Sequence, residues 1–226
     1  MVKNSVLTQL ESKGWVHLKQ AGVDVFEDLT SNLANKLYDS EVKLDSRFTH
    51  RVTKPEAIPY HSDSPRARYI AWLCRKRGRF PVPLKLVDAH GVSQRLPTET
   101  LRRLALTRLG FNCRVHNHLC SMPVLSSPEL TEDTIVFFNP WNVPKNLPEE
   151  HRYALHSLEE GLNQADHAEI DFSDGDILIV NNHRVVHGRD ALKGDTDRHL
   201  LRRLMEDPAV TLPIRKVQQA NVVPVH

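Results

Sequence analysis

The stretch Asp-Gly-Asp-Ile-Leu-Ile-Val-Asn-Asn-His-Arg-Val-Val-His-Gly-Arg, residues 174–189, decides the fold. Residues 177–180 form a continuous apolar run, Asn181-Asn182 is a turn signal, and residues 184–187 read as a further strand. Two short strands joined in this way predict a sheet-based fold rather than a helical bundle.

Further strands and helices are predicted on both sides of this block. Short strands are expected at 15–18, 67–74, 84–88, 134–138, 169–172 and 198–205, and helices at 4–13, 24–38, 97–108 and 148–162. The polar segment 39–58 is expected to be irregular. Strands concentrated around the histidine-bearing segments, with helices early or inserted, predict a mainly β fold with flanking helices, a sandwich or jelly roll.

Composition predicts a cytoplasmic protein of one domain over residues 1–226. The chain is 40% hydrophobic and 26% charged, which suits a soluble globular domain, and its net charge of +2 gives no reason to expect nucleic acid or an anionic membrane as a partner. No apolar run is long enough for a signal peptide or a membrane helix. The three cysteines have no CxxC spacing and are expected to be buried thiols in a reducing compartment.

One set of side chains points to a chemistry. His61 and Asp63 stand two residues apart, His187 lies in the block quoted above, and Arg198 follows it. In an extended segment, residues i and i+2 face the same way, so His61 and Asp63 can reach one metal ion. Two histidines and one carboxylate are the ligand set of non-haem Fe(II) oxygenases, and an arginine is what a dicarboxylate cosubstrate requires.

Other histidines compete for this role, because the chain has 13 of them. His167-Ala168-Glu169 repeats the spacing but precedes a tight turn, so an exposed edge is expected. His183 and His187 would lie about 13 Å apart on a strand and could not share an ion. His116-Asn117-His118 lacks a nearby acid and is expected to be core or surface.

The sequence also resembles a known family. The segments that carry the resemblance are 14–18 (Gly-Trp-Val-His-Leu), 58–63 (Ile-Pro-Tyr-His-Ser-Asp), 174–189 and 197–203 (Asp-Arg-His-Leu-Leu-Arg-Arg). They are similar to the Fe(II)/2-oxoglutarate-dependent dioxygenases, in the taurine dioxygenase and clavaminate synthase-like branch. The resemblance extends from about residue 14 to residue 205.

The resemblance implies a double-stranded β-helix of the cupin-like, jelly-roll kind, with Fe(II) and 2-oxoglutarate as cofactors and O2 as co-reactant. It implies that His61, Asp63 and His187 bind Fe(II) and that Arg198 pairs with the far carboxylate of 2-oxoglutarate. Arg202 matches a position that contacts cosubstrate or substrate in relatives.

The chain departs from the family at one position. Relatives carry a threonine before the Leu-x-Asp strand, and its hydroxyl helps to hold 2-oxoglutarate. Leu84 stands at that position and has no hydroxyl.

The resemblance suggests a small-molecule substrate, a free amino acid or similar carboxylate. Arg202, Arg66 and Arg68 are candidate partners for its carboxylate, although surface charge is the simpler role for Arg66 and Arg68. Trp141, in the aromatic cluster 137–142, is a candidate substrate wall or a core residue.

Three alternatives stay open at this stage. The chain could be a non-catalytic metal- or ligand-binding cupin-like barrel, or an oxygenase that hydroxylates, desaturates or cyclises a carrier-bound substrate. A nucleic-acid demethylase on the same fold is disfavoured, because aromatic residues make up 6% of the chain and its charge is near neutral.

Overall fold

The computed structural model describes residues 2–43, 54–79, 81–113, 118–192 and 197–217. The strands are β1 (Trp15–Leu18), β2 (Asn35–Lys43), β3 (Ile58–His61), β4 (Tyr69–Lys76), β5 (Leu84–Asp88), β6 (Arg108–Cys113), β7 (His118–Pro123), β8 (Ala168–Ile170), β9 (Ile177–Asn181), β10 (Val185–Arg189), β11 (His199–Glu206) and β12 (Arg215–Lys216). The helices are α1 (Val2–Ser12), α2 (Gly22–Leu33), α3 (Ala89–Ser93), α4 (Thr98–Leu106) and α5 (Glu149–Gln164).

Two antiparallel sheets form the body of the molecule. One has five strands in the order β1-β9-β4-β11-β2, and the other has four in the order β3-β10-β5-β8. Strands adjacent in the sequence are seldom neighbours in a sheet, as expected where the chain crosses repeatedly between two facing sheets. This arrangement confirms the predicted jelly-roll fold.

The core between the sheets follows from side-chain alternation along the strands. In β4, Ile70, Trp72 and Cys74 face the four-stranded sheet, while Tyr69 and Leu73 face outward. Successive residues of a strand point to opposite faces, so one buried strand supplies apolar groups to two layers. The inward row also forms a wall behind the site described below.

Helices cover the outer face of each sheet. The amphipathic helix α2 buries Phe26 and Leu29 against the five-stranded sheet. Helices α4 and α5 and a third sheet, β12-β7-β6, pack on the other side, where Val87 and Val186 of the four-stranded sheet join their apolar cluster. Both sheets are therefore buried on two faces.

Three expectations about local structure were wrong. Helix α2 ends at Leu33, and β2 occupies part of the region expected to be helical or irregular. Leu37 continues the helical spacing but lies in β2, at the irregularity between the residues that pair with Leu204 and Met205 of β11. Residues 134–138 form an isolated bridge between Leu125 and Val136, not a strand. The helix expected over 97–108 ends at Leu106, and Arg108 already begins β6. For β2, pairing with the distant strand β11 determines the structure.

Two composition-based expectations can be compared with the described residues. No helix among them is long and apolar enough to cross a membrane. Cys74 and Cys120 are buried free thiols.

Candidate active site

His61 and His187 are brought together by strand pairing. They stand opposite each other in the antiparallel pair β3 and β10, with their ring centroids 4.4 Å apart. Both are buried, with 3% and 4% of their surfaces exposed. Two side chains that are far apart in the sequence thus lie on one face of the four-stranded sheet.

Asp63 is held in place just beyond the end of β3. Its backbone N–H donates to Asn182 Oδ1 at 2.9 Å, and the Asn182 amide group donates to the carbonyls of Ser64 and Ala67 at 3.1 and 2.8 Å. The N–H of the preceding Ser62 donates to the Phe138 carbonyl. Because these bonds fix the backbone, the Asp63 carboxylate is directed toward the two histidines.

The three side chains converge on one point. His61 Nε2 lies 3.9 Å from Asp63 Oδ1, and His187 Nε2 lies 4.0 Å from Asp63 Oδ2. All three ligand atoms lie within 4.8 Å of one another, and among the described residues no other trio of potential metal ligands does so. The structure therefore brings together the three side chains that the sequence analysis selected.

The protonation states suit a divalent metal. Burial lowers the pKa of His61, and burial together with the neighbouring His61 lowers the pKa of His187 to about 3, so both imidazoles are neutral. Burial acts to raise the pKa of Asp63, but the charge of Arg202 and its hydrogen bonds to the carboxylate outweigh burial and lower the pKa overall. Neutral imidazoles and an ionised carboxylate are the forms that bind metal.

Hydrogen bonding fits a metal ligand at His61 but not fully at His187. His61 Nδ1 lies 2.9 Å from the Pro59 carbonyl, so Nδ1 carries the proton and Nε2 keeps its lone pair toward Asp63. His187 Nδ1 is buried and has no hydrogen-bond partner among the described residues. A metal on Nε2 would leave that second nitrogen as the N–H without a bonding partner, a departure from the usual pattern.

Two arginines reach the site from β11 and the residue before it. Arg198 is buried and donates from Nη1 to the Val82 carbonyl at 3.1 Å. Arg202 donates from Nη1 to both oxygens of Asp63, at 3.2 and 2.9 Å, and from Nε to Ser40 Oγ at 3.1 Å. Burial lowers the pKa of Arg198, but the group stays charged at neutral pH.

A cleft of about 610 Å³, measured out to its open mouth, joins these groups. Its apolar walls include Trp72 and Leu84, and its lining contains His61, His187 and Gly188. The charged residues that line it are Lys43, Arg189, Arg198 and Arg202, and no acidic residue of the described ranges is among them. Apolar walls with a few convergent charged groups are typical of small-molecule sites.

The remaining residues that the sequence analysis connected with the cosubstrate or the substrate lie in different places. The Trp141 ring lies 4.8 Å from the His61 ring, beside the metal-ligand trio. Leu84 lines the cleft, as its position in the family pattern implies. Arg66 and Arg68 do not line it, and their guanidinium groups bind Glu206 and Asp207.

The competing histidines lie elsewhere. His183 Nε2 bonds to the Pro65 carbonyl at 2.8 Å, and burial lowers its pKa to about 4. His167 and Glu169 contact each other at the surface. His116 lies outside the described residues, and the neighbouring His118 is not among the metal-ligand trio.

Sequence reasoning missed two residues of the site. Asn182 was interpreted only as a turn signal, yet it fixes the backbone around Asp63. Arg189 was quoted only as part of a matching segment, yet it is buried in the cleft wall and donates to the carbonyls of Lys54 and Glu56 at 2.6 and 2.8 Å. An arginine two residues beyond a buried histidine on a strand was the available signal, because both side chains face the same way.

Comparison with models of known protein families shows to which family the chain belongs. The family model described as "Taurine catabolism dioxygenase TauD, TfdA family" matches residues 85–204, more than half of the chain. The chain belongs to this family. The matched TauD/TfdA region contains His187, Arg198 and Arg202, while His61 and Asp63 precede it.

Solved structures show the same fold at low sequence identity. Asparagine oxygenase in complex with Fe(II), 3-hydroxyasparagine and succinate aligns with a TM-score of 0.72 at 15% identity, over 91% of this chain and 79% of that one. PvcB, an Fe, α-ketoglutarate-dependent oxygenase from an isonitrile synthetic pathway, gives 0.66 at 15%, over 91% and 82%. A mutant of the non-haem iron oxygenase OrfP, in complex with (3S)-hydroxy-L-Arg, gives 0.57 at 19%, over 74% and 56%.

A comparison with curated protein sequences finds no match. Membership of the TauD/TfdA family makes the protein an Fe(II)- and 2-oxoglutarate-dependent dioxygenase. The alternative of a non-catalytic cupin-like barrel is thereby set aside.

Proposed function

We propose that this dioxygenase hydroxylates an unactivated C–H bond of a small carboxylate, and of a free amino acid in the first instance. The observation that carries the proposal is the convergence of His61, Asp63 and His187 on one point beside a cleft that contains Arg198 and Arg202. A substrate bound in that cleft would lie next to the metal.

The iron would be held by the two imidazole Nε2 atoms and the Asp63 carboxylate. Three protein ligands leave coordination sites open for cosubstrate and O2. When bound, the iron supplies O2 activation coupled to decarboxylation of 2-oxoglutarate, which releases succinate and CO2. Because Asp63 supplies a carboxylate where a smaller residue would leave room for halide, hydroxylation is favoured over halogenation.

Arg198 would bind the far carboxylate of 2-oxoglutarate. Its guanidinium is buried, lines the cleft and is oriented by the Val82 carbonyl. A planar guanidinium binds a carboxylate through two parallel hydrogen bonds, and burial strengthens such a pair. Leu84 contributes apolar contact at this end and no hydroxyl.

The basic lining supports an anionic substrate. Lys43, Arg189 and Arg202 remain after Arg198 is assigned to the cosubstrate. Lys43 is exposed and Arg202 pairs with Asp63, whereas Arg189 is buried and donates to backbone carbonyls, and a buried cation is stabilised by an anion nearby. Arg202 stands beside Asp63 and is the proposed partner of a substrate carboxylate. The Trp141 ring next to His61 would limit how the substrate backbone lies.

Two structural neighbours support an amino acid as substrate. Their names and bound ligands are those of an asparagine oxygenase with hydroxyasparagine and of OrfP with hydroxyarginine. Both are under 20% identical to this chain, so they support the class of substrate and not the particular amino acid.

The test is succinate release by the Fe(II)-loaded enzyme with 2-oxoglutarate across a panel of free amino acids. We expect one or more to raise succinate release above the uncoupled rate and to gain one oxygen atom by mass spectrometry. A product lacking two hydrogens would indicate desaturation or cyclisation instead. Activity only with a carrier-bound amino acid would refute the free-substrate proposal.

Paired variants test the ligand assignment. His187→Ala should abolish Fe(II) binding and succinate release, whereas His167→Ala, at the exposed His-x-Glu triplet, should change neither. Equal iron binding by the two variants would overturn the assignment.

A further inference from the structure

Arg202 and Asp63 form an unusual ion pair at the site. One guanidinium nitrogen, Nη1, lies 2.9 Å from Oδ2 and 3.2 Å from Oδ1, so it takes the position between the two oxygens. The side chains are only 12% and 14% exposed. The bond to Ser40 Oγ holds Nε of the same guanidinium. A cation that contacts both oxygens of a carboxylate uses lone pairs that a metal ion would also use, so the two can compete.

The spacing of the three ligand atoms is wider than a metal requires. Metal–ligand bonds of about 2.1 Å at right angles place neighbouring ligand atoms roughly 3 Å apart. The imidazole nitrogens of His61 and His187 lie 3.9 and 4.0 Å from the oxygens of Asp63. Both distances must therefore shorten by about 1 Å when a metal binds, so the carboxylate, the imidazoles or both move from an arrangement in which Arg202 Nη1 contacts both oxygens of Asp63.

We propose that Arg202 is the counterion of Asp63 in the metal-free protein, and that an incoming divalent ion displaces it and frees its guanidinium for an anionic ligand in the cleft. The inference rests on the proposed metal ligands and adds an order of binding. Metal binding would create the free cationic group that a substrate carboxylate needs, so metal and anion would bind with positive coupling.

Competition between Arg202 and a metal ion for Asp63 predicts how the affinity for metal changes when Arg202 is replaced. In the wild type, a metal must break a largely buried, charge-assisted contact before Asp63 can coordinate it. Without the guanidinium that cost disappears. We therefore expect Arg202→Gln to bind metal roughly tenfold more tightly than the wild type, or tighter still. If Arg202 instead supports Asp63 as a ligand, the same substitution weakens binding.

The experiment titrates Mn(II) into the full-length, metal-free protein without 2-oxoglutarate, following the electron paramagnetic resonance signal of the free ion. Measurement at pH 8 keeps protons from competing for the carboxylate. Arg66→Gln is the matched control, because it also removes an arginine from a part-buried ion pair, with Glu206, but outside the cleft. Arg202→Lys keeps the charge and should give an intermediate affinity.

The outcomes separate this inference from the ligand assignment. No Mn(II) binding by the wild type would count against the metal site itself. Wild-type binding that is unchanged or weakened in Arg202→Gln, with Arg66→Gln equal to the wild type, would overturn the displacement alone. If Arg202→Gln does not fold by circular dichroism, Arg202→Lys decides, since affinity at or below the wild-type value contradicts competition. A crystal soaked in Mn(II) should show Arg202 Nη1 more than 4 Å from Asp63.

Discussion

Arg198 Nη1 donates a hydrogen bond to the carbonyl oxygen of Val82, at 3.1 Å. Val82 lies two residues before Leu84, the position at which relatives carry a threonine. The bond therefore links the proposed cosubstrate arginine to the segment in which the chain departs from its family. Leu84 lines the same cleft, so the departure lies where the far carboxylate would bind.

Leu84→Thr should restore a hydroxyl at this position. We expect the dissociation constant of 2-oxoglutarate to fall by several-fold, up to about tenfold, because one added hydrogen bond contributes on the order of 1 kcal/mol. Calorimetry on the Mn(II)-loaded protein measures it without turnover. Leu84→Val is the control for loss of apolar volume. An affinity for 2-oxoglutarate equal in the two variants would show that the hydroxyl has no partner there.

Arg198→Gln should weaken 2-oxoglutarate binding much more strongly. Removing a buried, charge-assisted pair costs on the order of 2–3 kcal/mol, or about 30- to 150-fold in affinity. Arg198→Lys should recover only part of this loss, since an ammonium lacks the planar fork. Mn(II) affinity should be unchanged, because Arg198 does not contact the metal-ligand trio. A parallel loss of Mn(II) binding would point to a general structural defect.

Gly188→Ala tests how strand pairing places the metal ligands. A Cβ at Gly188 would lie 2.7 Å from the Ile58 carbonyl oxygen and 3.2 Å from the Pro59 carbonyl carbon, so β3 must move away from β10. These strands carry His61 and His187. We expect Mn(II) affinity to fall at least tenfold and stability to fall by about 1–3 kcal/mol.

Gly110→Ala is the matched substitution for this test. The nearest heavy atoms to its Cβ would lie 3.9 Å away, an ordinary contact in another sheet. It should leave Mn(II) affinity unchanged. Normal metal binding in Gly188→Ala would mean that the two strands can separate without separating the ligands.

Local patterns in the sequence predicted much of the fold. The apolar runs that became β4 and β9 are continuous, and β11 carries apolar pairs on either side of two arginines. The apolar residues of these three strands account for much of the core between the sheets. By contrast, β2 is a mostly polar strand that exists because it pairs with β11 along its whole length. Such pairing has no local signal, so the sequence predicted a longer helix there.

The site also has features that the sequence could predict and features that it could not. The residue types and spacing of His61, Asp63 and His187 could be recognised from the sequence. Their register could not, because it depends on β3 and β10 being neighbours in the sheet. The ion pair between Arg202 and Asp63 also depends on packing between the two sheets, and so does the role of Asn182.

Because His183 is buried, we expect it to make the free energy of unfolding fall at acid pH. Burial lowers its pKa from 6.5 to about 4, and its Nε2 bonds to the Pro65 carbonyl. The unfolded chain therefore takes up a proton more readily than the folded protein. The contribution of this group to stability is complete above pH 6.5, decreases as the pH falls from 6.5 to about 4, and reaches a loss on the order of 3 kcal/mol below that.

His183→Gln should remove this pH-dependent contribution to stability, while the amide nitrogen of the glutamine can still donate to the Pro65 carbonyl. Between pH 7 and pH 5, we expect the free energy of unfolding to fall by about 2 kcal/mol more in the wild type than in the variant. Denaturant titrations at each pH measure the difference, and His156→Gln, on the exposed face of α5, should follow the wild type. The other buried imidazoles are present in all three proteins, so the comparison isolates His183. Parallel curves for wild type and His183→Gln would mean that His183 is protonated as easily in the folded protein as in the unfolded chain.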